Sequence, residues 1–136
     1  MKIKSFLVLS TLFGLLCSCN LTKYTFIDVT QHKPEEITGI EYSYKSMITT
    51  WWPNLKNYEP ILEIINTTYK VVDDVKLYDQ NDWDYRFIVY INSYSSVGTF
   101  YAVNDRLYTI HPNSNKTLES TDKISIEQMF EIIYNE

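Results

Sequence analysis

The sequence predicts an α+β domain, a small antiparallel sheet of about five strands with two helices, one of them C-terminal. Three observations carry this. Tyr85–Tyr94 alternates as a strand, with Tyr85, Phe87, Val89 and Ile91 on one side and Arg86, Ile88, Tyr90 and Asn92 on the other. Asn104-Asp105 separates the strand-like runs Thr99–Val103 and Arg106–Ile110, and both residue types tolerate the positive φ of a two-residue hairpin. Ser125 begins a capped amphipathic helix that closes the chain.

The elements follow in order. Residues 20–36 read as a tether with a short extended piece at Tyr24–Val29, and Pro34-Glu35-Glu36 marks the domain boundary. Ile37–Lys45 alternates, with Ile40, Tyr42 and Tyr44 on one face and Glu41, Ser43 and Lys45 on the other, as a half-buried strand does. Met47–Trp52 either continues that strand or turns into a loop, and Pro53-Asn54 ends it. Leu55–Asn66 has helical spacing at Leu55, Tyr58, Leu62 and Ile65, widened by Ile61 and Ile64. Pro60 moves the helix start to near Glu59, where a first-turn proline is tolerated.

Thr67–Tyr78 is rich in Thr, Tyr and Val and reads as a strand broken or bulged at Asp73-Asp74. Asp79–Asp84 is a polar connection. Apolar residues on both sides of Tyr85–Tyr94 predict a central strand covered on both faces. Pro112–Thr121 reads as a loop. In the last helix, Ile126, Met129, Phe130 and Ile133 form the inward face.

Composition narrows the function classes. The chain has 136 residues, twelve Tyr but only three Gly, and a net charge of −5. Scarce glycine leaves few phosphate cradles, and acidity repels phosphate backbones, so no nucleic-acid partner is expected.

Residues 1–20 carry the clearest signal. Lys2 and Lys4 precede the apolar run Phe6–Leu16, which ends in Cys17-Ser18-Cys19. That is the layout of a secretory signal peptide. The run is about a dozen residues, short of the roughly twenty a membrane-spanning helix needs. Leu16-Cys17-Ser18-Cys19 resembles the lipobox of bacterial lipoproteins, with Leu at −3 and a small residue before the acceptor Cys. The resemblance covers residues 1–20 alone. It implies cleavage after Ser18, diacylation of Cys19 and a lipid-anchored envelope protein. Cys17 is the weaker alternative, because Leu15-Leu16 precedes it. Asn20, where many enteric lipoproteins have a retention Asp, favours the outer membrane facing the periplasm if the source is Gram-negative.

The expected organisation is a signal peptide (1–18), a lipidated tether (19–36) and one globular domain (37–136). Removing 18 of the 136 residues leaves 118, and losing Lys2 and Lys4 takes the charge from −5 to −7. With Cys17 removed and Cys19 acylated, no disulfide forms within the mature chain. That overall charge argues against a second, electrostatic membrane contact.

Catalytic signatures are missing. His32 and His111 lack metal-ligand spacing, and no Gly-x-Ser-x-Gly elbow occurs. Asp79-Gln80-Asn81-Asp82-Trp83-Asp84 starts like a calcium loop, then fails, with no Gly at the sixth position and Tyr90 at the twelfth. Neither an enzyme nor a cofactor or metal is expected.

Trp51-Trp52 is the notable aromatic pair. Neighbouring strand residues point to opposite faces, so one Trp can be exposed and anchor a protein partner or stack on a sugar. The alternative packs both under the following helix. The sequence thus points to contact with a protein, favouring a basic one, through Trp51, Trp52, Asp79, Asp82, Trp83 and Asp84. The immunity, inhibitor, exclusion and assembly-factor roles fit. A small-molecule- or glycan-binding lipoprotein is the rival.

Overall fold

A computed structural model describes residues 22–45, 53–92 and 94–135. The fold is α+β. Seven strands form one open antiparallel sheet: β1 Lys23–Thr25, β2 Gly39–Tyr44, β3 Thr68–Val71, β4 Tyr85–Ile91, β5 Ser95–Val103, β6 Arg106–Ile110 and β7 Thr117–Ser120. Their spatial order is β1-β3-β7-β6-β5-β4-β2. Among the described residues three α-helices accompany them, α1 Phe26–Thr30, α2 Glu59–Ile65 and α3 Ile126–Tyr134; α2 and α3 are the main pair.

The expected five strands are therefore seven. One addition is β7, inside the stretch read as a loop, where Leu118 is fully buried. The other is β1, inside the stretch read as a tether. Residues 19–36 are no tether from Lys23 onward. β1 pairs with β3, and Phe26 and Val29 of α1 are 1% and 2% exposed. Thr25 and Asp28 close a reciprocal capping box that starts α1. The strand read over Thr67–Tyr78 stops at Val71, and the chain then leaves the sheet plane.

The pleat sorts side chains onto two faces. On the core face lie Ile40, Tyr69, Phe87, Val89, Phe100, Ala102, Leu107 and Leu118, all fully buried. The helices cover this face. Phe26 of α1 stacks on Phe100 at 5.8 Å, α2 buries Ile61, Leu62 and Ile65, and α3 buries Met129. The Tyr69 hydroxyl donates to the Ile65 carbonyl at 2.6 Å, so a buried phenol is satisfied while it ties β3 to α2. Both main helices start where the sequence places them. Pro60 sits in the first turn of α2, and Ser125 Oγ accepts the Gln128 N–H at 3.1 Å at the start of α3.

The last helix differs from expectation in one residue. Met129, not Phe130, is its fully buried side chain, and Phe130 is 54% exposed. The helix has apolar residues at Ile126, Met129, Phe130, Ile132, Ile133 and Tyr134, a stripe wider than one contact can cover.

Residues 72–84 cross the outer face, closing it in part with Leu77 and Trp83, 6% and 4% exposed. At the sheet's edges, β2 is covered by residues 53–55: Tyr42 N–H donates to the Pro53 carbonyl, and Leu55 N–H to that of Ile40. At β1, Asp28 takes the Thr25 N–H at 2.7 Å. Both devices blunt open edges.

Register gives the sheet two ends. Lys23, Val71, Thr117, Ile110, Ser95, Ile91 and Gly39 lie at one, here the Lys23 end. Thr25, Thr68, Ser120, Arg106, Val103, Tyr85 and Tyr44 lie at the other, the Tyr44 end.

Candidate functional site

Cys19, Trp51 and Trp52 lie outside the described residues. The other candidates form a clasp on the outer face. Asp79 Oδ1 accepts the Asn81 N–H at 3.3 Å, and Asp82 Oδ2 accepts the Asp79 N–H at 2.9 Å, which folds 79–82 into a capped 3-10 turn. Asp84 Oδ2 accepts the Asn104 N–H at 2.9 Å, joining the connection to the β5–β6 turn. Trp83, at 4% exposure, offers almost no surface to a partner. Its ring packs against Tyr101 (6.3 Å between centroids) and lies under the Arg86 guanidinium at 5.2 Å. Gln80 Nε2 donates to the Tyr44 carbonyl, so the clasp ends beside β2. These carboxylates thus share the Tyr44 end with a set of aromatics that sequence reasoning missed.

Those aromatics are Tyr44, Tyr85, Phe130 and Tyr134. Tyr44 leans on Tyr85 with centroids 6.4 Å apart. Tyr85, Ile126 and Phe130 line an open groove of about 460 Å³ between sheet and helix, with Glu127 and Glu131 along it. Phe130 stacks on Tyr134 at 5.6 Å, and Tyr44, Phe130 and Tyr134 are 43%, 54% and 76% exposed. Neither α2 nor α3 contains a Lys or Arg, while together they carry Glu59, Glu63, Glu127 and Glu131. An apolar floor with an acidic margin suits a cationic, amphipathic segment of a partner. The excess width of the α3 stripe was the available sequence signal.

A second depression, of about 540 Å³, lies on the outer face among Asp74, Tyr78, Arg86, Tyr101, Asn115 and Thr117. It borders a row that crosses all seven strands: Lys23, Lys70, Glu119, Tyr108, Tyr101, Arg86 and Ser43. Along this row Tyr108 donates to Glu119 at 2.7 Å, and Lys70 Nζ lies 3.7 Å from the same carboxylate.

Burial, then the hydrogen bond to Glu119, pushes the Tyr108 phenol up to about 12. Burial likewise raises Tyr69, Tyr85, Tyr90 and Tyr101 above the ordinary 10. In the unfolded chain these phenols lose their protons first, so stability is intact below pH 10 and falls as pH rises through about 12. An alkaline titration followed by phenolate absorbance and circular dichroism should show late-titrating tyrosines whose ionisation coincides with unfolding. Tyr108→Phe should remove one late phenolate. Titration of every tyrosine before structure is lost would contradict this.

The histidines do not converge. His111 Nδ1 accepts the N–H groups of Asn113 and Ser114 at 3.2 and 3.3 Å, and its ring meets Tyr24 at 5.0 Å. His32 faces Glu36 at 3.1 Å. Among the described residues no group of three His, Cys, Asp or Glu side chains is arranged to hold a metal ion, and no helix is long and apolar enough to cross a membrane.

Comparison with protein-family models, with curated proteins and with solved structures finds no match to this chain.

Proposed function

We propose that this chain is a lipid-anchored lipoprotein of the cell envelope that acts without catalysis, by binding a basic protein partner at the Tyr44 end of its sheet. Residues 1–20 support the anchor at Cys19. The observation that carries the binding role is the exposed Phe130–Tyr134 stack beside the Tyr85–Ile126 groove, bordered by Glu127 and Glu131. Large aromatics at more than half exposure are the residues that become interface anchors. The surrounding acids speed and select a cationic partner more than they tighten it. An immunity, inhibitor, exclusion or assembly-factor role uses such a surface.

Two measurements test this. Mass spectrometry of the mature N-terminus should find acylated Cys19; a soluble product cut elsewhere counts against the anchor. Proteins crosslinked to the native chain in its envelope give the partner. Phe130→Ala should then speed its dissociation, with a loss of about 2 kcal/mol or more if Phe130 is a hot spot. Added salt should slow association. Unchanged kinetics in both experiments would move the interface elsewhere.

One observation favours the rival reading, a small-molecule- or glycan-binding lipoprotein. The outer-face depression brings Tyr78 and Tyr101 together with Asp74, Arg86 and Asn115. Aromatic walls with a few polar groups suit a sugar-sized ligand. Tyr101→Ala would abolish binding of such a ligand while leaving protein capture unchanged.

A further inference from the structure

We infer that the Lys23 end of the sheet is a membrane-contacting surface, seated in the headgroup layer of the bilayer, while the Tyr44 end points away from it. This rests on the lipid anchor proposed above. Only Asn20, Leu21 and Thr22 separate Cys19 from β1, whose first residue is Lys23. Even fully extended, the four steps from Cys19 to Lys23 reach about 14 Å. The polar layer on each side of a bilayer is roughly 5–8 Å deep. Lys23 is therefore held within about 6–9 Å of the outer edge of that layer, so a domain that begins there keeps one part of itself facing the lipid.

The strand directions say which part. Lys23 enters the sheet at the end that also holds the β6–β7 turn and the β4–β5 hairpin. The surface there is interfacial in character. Tyr94 is 92% exposed, and Val71 and Ile110 are each 43% exposed. Lys23 and Lys116 are exposed beside them. Tyrosine and lysine are the side chains that sit at the headgroup level, ring or stem toward the acyl chains and polar end in water. Among the acids nearby, Asp74 accepts the Thr117 hydroxyl at 3.2 Å, and Asp73 is exposed.

The far end has the opposite chemistry. Asp84, Asp105, Asp122, Glu127 and Glu131 gather there and, among the described residues, outnumber the three cations of that end, Lys45, Arg106 and Lys123, the last of which pairs with Asp105 at 3.6 Å. An anionic leaflet repels that end. The excess of acid at the Tyr44 end, against the balance of Lys23 and Lys116 with Asp73 and Asp74 at the other, orients the domain. The sheet spans about 29 Å from β1 to β2 at the usual strand spacing. The Tyr85–Phe130 groove, beside β4 and β2 at the far end, is then held diagonally away from the anchor, open to a partner.

The test uses the full acylated chain in vesicles of phosphatidylcholine and phosphatidylglycerol. Ser114→Cys and Asp105→Cys each supply one free thiol, at the Lys23 and Tyr44 ends respectively, for a fluorophore. Lipids carrying a headgroup nitroxide should quench the label at Ser114 and leave the one at Asp105 at its nitroxide-free brightness. Tyr94→Asp should reduce quenching at Ser114 while the protein stays with the vesicles. No quenching at Ser114, or equal quenching at both sites, in vesicle-bound acylated protein overturns this inference alone. Loss of the chain from the vesicle fraction, with no acyl mass on Cys19, overturns the anchor and this inference together.

Discussion

Met129→Ala is expected to lower the unfolding free energy by about 2–5 kcal/mol, as truncation of a fully buried Met, Leu or Ile does. Met129 is the one residue of α3 with no exposed surface, and it belongs to the same cluster as Ile61, Ile65, Phe87 and Leu107. A domain of this size has about 5–15 kcal/mol in all. Phe130→Ala, one residue on, should cost less than about 1 kcal/mol, because it removes a half-exposed ring and one stacking contact with Tyr134. Urea unfolding of the two variants separates these outcomes by a midpoint shift at constant slope. Similar losses in both would mean that Phe130 is a core residue. The exposed aromatic surface on which the proposed partner binding rests would then not exist. The contrast also makes Phe130 usable as a probe, since its replacement can weaken binding without unfolding the domain.

Local chemistry made half of this fold legible. β4 was readable because its inward row of Tyr85, Phe87 and Val89 is unbroken. The Asn104-Asp105 turn was readable because its geometry is set by two residues, although only Asn104 takes a positive φ, 55°, and Asp105 does not. The start of α3 was readable because a serine hydroxyl decides it. What stayed hidden depends on partners far away in sequence. β7 has only Leu118 and Ser120 facing inward, and it is a strand because β6 and β3 flank it. Ser120 Oγ is satisfied twice over, by the Asp122 carbonyl and the Leu107 N–H, which lets a polar side chain occupy a core position. Beyond Val71 the chain kept strand-like residues, but both neighbours of β3 end there, β7 at Thr117 and β1 at Lys23, so the following residues up to 84 cross the outer face instead.

The candidate site divides along the same line. The acidic stretch Asp79–Asp84 was visible as a cluster, yet each carboxylate is engaged by a nearby backbone N–H. Trp83 was visible as an aromatic, but its depth is set by the outer face that it covers. The aromatic rim was not visible, because it joins the end of β2 to α3, which begins more than eighty residues later.

Phe26→Ala should destabilise the domain by about 3–5 kcal/mol, the usual range for a buried phenylalanine. Its ring is 1% exposed and lies nearly parallel to that of Phe100, 13° between planes. α1 is anchored on both sides of it. The Thr25–Asp28 box holds the first turn, and Thr30 Oγ1 returns to the Phe26 carbonyl at 2.9 Å. The methyl of Thr30 also closes on Gly98, where an added Cβ would lie 3.1 Å from it. The backbone of β5 and the helix therefore meet without room for a larger residue. This prediction decides how the proposed lipid anchor is joined to the domain. If Phe26→Ala costs what a core residue costs, Lys23–Thr30 is domain, and the proposed anchor at Cys19 has a tether of three residues that keeps the Lys23 end facing the lipid. If the loss is below about 1 kcal/mol, the segment can detach. The tether then runs from Cys19 to near Ile37, about 60 Å at full extension, and the domain is free to turn either end toward the bilayer. Thermal or urea unfolding of this one variant, compared with Met129→Ala as a core reference, separates the two outcomes.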